Sequence, residues 1–450
     1  MKHVMDHYFD EIVQSSVDLI RFDSSRKDAE GENGEYPFGK ETADCLAYFL
    51  NLAQSFGFET HNYDNYVGEV VFGQGEDFAI LAHLDVVPAG SGWKYPPFGG
   101  VINDDVSDGG VAGTKIWGRG ALDDKTPAVV CLYALKALKD EGFTPKRTIK
   151  LIVGCNEESG WACMDKYASN EEMPQEGFSP DADFPVINCE KGVVYHEILV
   201  PKSDFIINLE CGERANIVPD KATATVKELK GLKERAIELG ACVSQNDDIL
   251  TITTKGISAH GSTPDKGENA LVKLLEVLAP FDKALDFIYQ SFRYNDGRGA
   301  NINFNDEISG SLTANLGVAK TIDDSIKFVV DIRYPLCITM DELTNLLTNR
   351  FASIDGRVTR GAYHLPLYVA KDDPLIIALL GAYNDVTGTK GEAITIGGGT
   401  YARVLPKGVA FGPVFPGGES RVHGDDERIS LKDFAKTIEI YKEAIKRLCF

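Results

Sequence analysis

Basic residues are scarce for a chain of this size: 46 Lys and Arg stand against 68 Asp and Glu in 450 residues, a formal charge of −22. A surface of that sign repels phosphate backbones and anionic lipid, which excludes nucleic acid as a partner and argues against a membrane surface. No run of about 18 apolar residues occurs, so no segment is long enough to span a bilayer. The opening MKHVMDHYFDEIVQSSVDLI places Asp6, Asp10 and Glu11 where a secretory signal needs a basic start and an apolar centre, and it reads as an amphipathic helix. A chain this long buries a sizeable core without a disulfide scaffold, and its nine cysteines, odd in number, include no C-x-x-C pair, so a reducing cytoplasm is the expected compartment. Internal repeats and Pro/Ser-rich linkers are absent too, and domain limits have to be read from changes of pattern.

What the chain has is alternation. EVVFG at 69–73, FAILAHLD at 78–85 and TIKLIVG at 148–154 read as strands, with helical periodicity from Pro127 through Leu138 between them. In α/β sheets the chemistry gathers at the carboxyl ends of strands, and two of these runs lead into ionisable residues: His83 and Asp85, then Glu157 and Glu158. From about 190 to 372 the texture is α+β. Strands such as TATVKEL, ILTITTKG and KFVVDIRYP accompany a helix with Pro264 near its start and Leu271, Leu274, Leu275 and Leu278 on one face. After about 373 come PLIIALLGAYNDV, ITIGGGTYAR and a terminal helix from Leu431 to about Leu448.

Residues i and i+2 of a strand share a face, so His83 and Asp85 can serve one site, the imidazole as metal ligand and the carboxylate fixing its tautomer. A buried histidine paired with a carboxylate has the same pattern. Asp123 and Asp124 in GRGALDDK sit before a helix, where acidic residues also serve as caps and dipole partners. Glu157 and Glu158 reach one site only if the chain has already left the sheet; otherwise they belong to a solvated loop. Asp181 in FSPDADFP and His423 in VHGDDE lie in turn-rich segments and read equally as turn residues. Together, two His and several Asp/Glu at the ends of core strands are the ligands divalent metals take. Carboxylates about 4 Å apart repel by about 4 kcal/mol at an effective dielectric near 20, so such a cluster needs protons or cations. The near-match to a phosphate loop at Gly34, Gly39 and Lys40 fails, because Glu41 replaces the Ser/Thr, Pro37 stiffens the loop and no buried strand precedes it.

In order, HLDVVPAG, GRGALDDK, NEESG, SPDADFP, SAHGSTP, DIRYP, GGGTYAR and VHGDDE resemble the motifs of the co-catalytic zinc metallopeptidase family that includes aminoacylase 1, carboxypeptidase G and succinyl-diaminopimelate desuccinylase, and within it the dipeptidase V-like branch. The motifs run from residue 83 to residue 427. The resemblance implies that Asp123 bridges two divalent metals, with His83 and Asp181 on one and Glu158 and His423 on the other. It implies catalytic roles for Asp85, for Glu157 as general base, and for His260 as donor to the tetrahedral oxyanion. Asn216 and Arg333 would hold the substrate's terminal carboxylate, and the backbone of Gly397, Gly398, Gly399 and Thr400, ahead of a helix, would cradle the same group. Taken by themselves, these are a loop histidine, a surface ion pair and a tight turn. The Asp123–Asp124 peptide is expected to be cis. Two departures stand out: the stretch 102–115 looks longer than the family's usual link and reads as a surface hairpin, and Thr126 replaces a usual glycine.

The expectation is therefore an α/β protein of two domains. A catalytic domain, a mixed sheet flanked by helices, is formed by 1–190 and 373–450, and an α+β lid, 191–372, is inserted into it. The cofactors expected are two divalent ions per chain, zinc first, with manganese or cobalt as the other candidates. The activity expected is hydrolysis of short peptides, foremost unblocked dipeptides, by a water bridging the two metals. The alternative on the same site is an N-acyl amino acid deacylase or small carboxypeptidase. A non-catalytic relative would lack Glu157 or a ligand, and all are present. By analogy the long lid lets one chain enclose its substrate as a monomer, with a homodimer as the other state.

Overall fold

The computed structural model describes residues 4–104, 113–418 and 421–450. The chain divides into two compact units: 1–188, 368–394 and 400–450 form the first, and 189–367 with 395–399 form the second.

In the first unit the strands Glu59–Tyr63, Val67–Phe72, Thr148–Gly154, Asp77–His83, Glu176–Ser179 and Lys407–Ala410 lie side by side in that order. The first two steps are antiparallel and the next three parallel. Alternation sorts their side chains between two layers. Phe78, Ile80, Ala82, Ile149, Leu151 and Val153 join a core with Val129, Leu132, Ile438 and Tyr441 from the helices Lys125–Asp140 and Leu431–Cys449. Ala79, Leu81 and Ile152 face the other way, onto Cys163, Met164, Tyr167 and Tyr401. A parallel strand buried on both faces has to be apolar throughout, which is why FAILA shows no polar alternation. The mixed sheet flanked by helices is the class the sequence implied.

The second unit is α+β. Its sheet, all antiparallel, runs Cys242–Asn246, Ile249–Lys255, Lys221–Lys227, Ile206–Cys211, Thr313–Ile322, Ser325–Tyr334, Gly192–Pro201, Arg357–His364. One face packs against the helices Ala270–Leu278, Lys283–Phe292 and Met340–Phe351 through Leu274, Leu278, Ile288 and Leu343. Strand Lys221–Lys227 shows the resulting period of two, with Ala222, Ala224 and Val226 buried and their neighbours exposed or half-buried.

Two local expectations are corrected. Pro264 does not open the leucine-rich helix: Pro264–Lys266 is a separate 3-10 turn, and the helix starts at Ala270 because Asn269 caps it, accepting a hydrogen bond from the Val272 N–H. Thr400 precedes only the short 3-10 turn Tyr401–Val404, with the Thr400 side chain accepting from the Ala402 N–H. The expected hairpin at 102–115 has paired arms, Val101–Asn103 against Lys115–Trp117, and its remainder, 105–112, lies outside the described residues. Among the described residues, no helix is long and apolar enough to cross a membrane.

Candidate metal centre

His83 is the last residue of its strand, and its odd register places it on the face that carries Ala79 and Leu81. There its ring meets Tyr401 edge-on at 6.1 Å. Tyr401 has room only because residue 154 is glycine; a Cβ there would lie 2.3 Å from the tyrosine hydroxyl. The His83 ring is fully buried. Its Nδ1 lies 2.9 Å from the backbone carbonyl of Asp85 and 3.6 Å from that residue's carboxylate. The tautomer is thus fixed by the Asp85 main chain and not by its side chain, which leaves Nε2 with its lone pair facing inward. The Asp85 carboxylate instead accepts the N–H groups of Glu157 and Glu158 at 3.0 and 3.1 Å. Those bonds turn the chain out of the sheet after Gly154 and bring both glutamates toward one place.

Around His83 Nε2 the carboxylates converge. Asp123 Oδ1 is 2.8 Å away and Asp181 Oδ2 3.5 Å. The other Asp123 oxygen, Oδ2, lies 3.0 Å from His423 Nε2, which is 3.1 Å from Glu158 Oε2. Asp123 therefore presents one oxygen to each imidazole. Two overlapping sets have ligand atoms all within 4.8 Å of one another: His83, Asp123 and Glu158, and His83, Glu157 and Asp181. The Asp123–Asp124 peptide is cis, as the resemblance implied.

The donor chemistry fits a divalent cation. His83 Nε2 and Asp123 Oδ1 are buried and 2.8 Å apart; with Nδ1 facing the Asp85 carbonyl, the interior pair is satisfied only by a proton on Nε2 or by a cation beside both atoms. The titration directions agree. Burial alone would lower the His83 imidazole, but Asp123 and Asp181 outweigh it and hold it well above its ordinary value. His423, unlike His83, is 55% exposed; what burial it has works against its charged form, and its hydrogen bonds to Asp123 and Glu158 outweigh that and raise it to about 11. Burial and the neighbouring Asp123 push the Glu158 carboxyl up to about 7, and burial also raises Glu157 and Asp181. Asp123 goes the other way: burial opposes its charged form, but His423 and His83 outweigh it and hold its carboxyl below the ordinary value. A site whose imidazoles keep protons beside an ionised Asp123, while Glu157, Glu158 and Asp181 resist ionising, is short of cations.

A buried pair that the sequence reading passed over holds this cluster in place. Glu427, fully buried, accepts the N–H groups of Gly120, Leu122 and Asp123 at 3.1, 2.8 and 3.2 Å. Its other oxygen takes Arg119 Nη1 at 2.7 Å. Arg119 also donates to the His423 carbonyl at 3.4 Å and lies under the Trp93 ring. The loops bearing Asp123 and His423 thus hang on one ion pair. The signal was available, since Arg119 and Glu427 lie inside two of the quoted motifs.

The second unit gathers its own predicted residues. Arg333 is buried; Asp331 takes its Nε and Nη2 at 2.8 and 2.7 Å, and Gly397 O takes Nη1 at 2.9 Å. Asp331 was not singled out from sequence. Its carboxylate leaves no space for a side chain at 261, where a Cβ would sit 2.7 Å from it. His260 is exposed, and its Nδ1 lies 2.6 Å from the Ser262 hydroxyl and 3.2 Å from the Ser262 N–H; accepting from that N–H places the ring proton on Nε2. Asn216 sits between Ala215 and Ile217, whose carbonyls are held by the Asn315 amide at 2.8 and 2.9 Å. Gly398 and Gly399 group with the second unit and Thr400 with the first.

Comparison with known proteins follows this geometry. The family model for Peptidase family M20/M25/M40 matches residues 79–447. A protein of Staphylococcus saprophyticus provisionally named a dipeptidase is 35% identical over 469 residues, covering 98% of each chain. Among solved structures, human carnosine dipeptidase 1 superposes with a TM-score of 0.59 at 15% identity, over 98% of this chain and 96% of that one. The dipeptidase Dug1p of Saccharomyces cerevisiae gives 0.58 at 14% identity, over 99% and 97%.

Proposed function

The chain belongs to Peptidase family M20/M25/M40, and from that premise we propose that it is a metal-dependent dipeptidase acting on short unblocked peptides with two divalent ions, zinc foremost. The observation that carries the reading is the two-sided Asp123 carboxylate, one oxygen toward His83 and the other toward His423. His83 and Asp181 would hold one ion, Glu158 and His423 the other, and Asp123 both. The dipeptidase names of the Staphylococcus relative and of the two solved structures support the substrate class.

Bound there, the ions would supply Lewis acidity, lowering the pKa of a water and polarising the scissile carbonyl. The remaining work falls to the protein. Glu157, next in sequence to a ligand and grouped with His83 and Asp181, takes a proton from the attacking water as its oxygen bonds to the carbonyl carbon. It then delivers that proton to the amide nitrogen as the C–N bond breaks. Asp85 fixes the turn carrying both glutamates and, through its carbonyl, the His83 ring. His260, with its ring proton on Nε2, is assigned to the developing oxyanion. Arg333, Asn216 and the Gly398–Thr400 backbone are assigned to the substrate carboxylate; the Arg333 fork is partly spent on Asp331, so its outward N–H groups are the ones that remain for a ligand.

The test is Glu157→Ala. Turnover is expected to fall by about 10²- to 10⁴-fold while metal stays bound; turnover surviving with metal in place refutes the general-base assignment. His260→Ala should lower kcat without changing metal content, and equal loss of both would remove its assigned role.

A further inference from the structure

A carboxylate that accepts a proton and then passes it on must present a defined oxygen, yet the terminal torsion of a glutamate is broad and roughly two-fold. In this chain that torsion is pinned from one side. Trp161 Nε1–H donates to Glu157 Oε1 at 3.2 Å. The tryptophan is held there by an unusual backbone. Its φ and ψ are 62° and 19°, the left-handed region that a bulky residue rarely enters and that costs on the order of 1–3 kcal/mol. Asn156 clamps the turn from both ends: its carbonyl accepts the Trp161 N–H at 2.8 Å, and its side-chain oxygen accepts the Ala162 N–H at 3.1 Å. The indole also rests edge-on against Tyr401 at 5.6 Å, the ring that meets His83 from the other side. One aromatic pair therefore contacts both the histidine ligand and the residue next to the glutamate ligand.

We propose that Trp161 is a positioning residue for Glu157. Its indole N–H occupies Oε1, so that Oε2 is the oxygen that takes the proton from water and returns it to the leaving nitrogen. This rests on Glu157 being the general base. The left-handed turn is what aims the indole: with ordinary helical φ at 161 the side chain would leave the Asn156 clamp and lose the glutamate. A purely structural tryptophan would need the ring and not the N–H.

Trp161→Phe keeps the ring against Tyr401 and removes the donor. For the loss of one hydrogen bond to a charged group, kcat is expected to drop about 10- to 100-fold, with KM within about twofold and metal content unchanged. A second readout needs no turnover. The chain has three tryptophans, so protein labelled with 5-fluorotryptophan gives three ¹⁹F signals. The signal assigned to Trp161 should move in Glu157→Ala while those of Trp93 and Trp117 stay put. A stationary Trp161 signal, or Trp161→Phe with kcat within twofold of the parent, overturns the proposal; the first still decides if the Phe variant does not fold. The two readings fail separately. Loss of turnover in Glu157→Ala with full turnover in Trp161→Phe removes only the role of Trp161, whereas turnover surviving in Glu157→Ala with metal bound removes the general base and Trp161 with it.

Discussion

Replacing Glu427 by Gln isolates the ion pair on which the proposed ligand loops hang. The carboxylate makes four contacts from a fully buried position: three main-chain N–H groups on one oxygen and Arg119 on the other. A carboxamide cannot satisfy both sides. With its oxygen toward the three amides, its NH₂ faces the guanidinium; flipped, it leaves the amides of Gly120, Leu122 and Asp123 facing donors. Arg119 is 1% exposed and cannot turn to water. Removing one partner of a buried pair costs about 3–5 kcal/mol, because the remaining charge stays in the interior. The loss should fall on the first unit, which also carries all three tryptophans, Trp93, Trp117 and Trp161. Urea unfolding followed by tryptophan fluorescence, with a chelator present, therefore reads the relevant transition. Metal affinity should fall as well, by about 10- to 100-fold, the usual effect of losing an outer partner of a ligand. A destabilisation below about 1 kcal/mol with unchanged affinity would show that Arg119 finds another partner and that the pair does not hold the loops.

Metal uptake should release protons. In the metal-free protein His423 is held up at about 11 and Glu158 at about 7, so both carry protons that a cation must displace, and apparent affinity should rise with pH from 6 to 8. Calorimetry in buffers of different ionisation enthalpy checks this, and the absence of net proton release would count against these two residues as ligands. The second unit should be acid-sensitive through His196, whose imidazole burial, with Arg360 nearby, depresses to about 4. Because the unfolded chain binds that proton more readily, stability is lost as pH falls from about 6.5 toward 4, by up to about 3 kcal/mol. His196→Leu should remove that part of the acid dependence in circular-dichroism denaturation at pH 7 and 4.5; an unaltered dependence would refute it.

The parts legible in the sequence were those whose signal is local. FAILAHLD shows its burial on both faces by its apolar run and offers a candidate ligand in the His at its end, and the resemblance implies an Asp123 placed between two histidines, where the carboxylate lies. What escaped was set by interactions between distant segments. Arg119 and Glu427 are more than 300 residues apart, and neither motif alone says that the two meet. Asp85 looked like a side-chain partner for His83, but strand geometry cannot reveal that the amides of Glu157 and Glu158 claim the carboxylate first. The helix at Ala270 was started too early because Pro264 is a strong local signal, while the Asn269 cap becomes visible only once Pro264–Lys266 has closed its own turn. The left-handed backbone at Trp161 has no sequence signal at all, since the residue type argues against it.

The central claim is most directly tested by stripping the purified protein with a chelator, adding zinc or manganese back in measured equivalents, and following hydrolysis of Ala-Ala, N-acetyl-Ala and Ala-Ala-Ala at each step. The account predicts that stripping abolishes activity, that about two equivalents per chain restore it, as a bridged pair of sites requires, and that Ala-Ala is the substrate cleaved. Full activity in the stripped protein would contradict the metal centre, and preference for N-acetyl-Ala would contradict the dipeptidase reading and assign the same centre to deacylation.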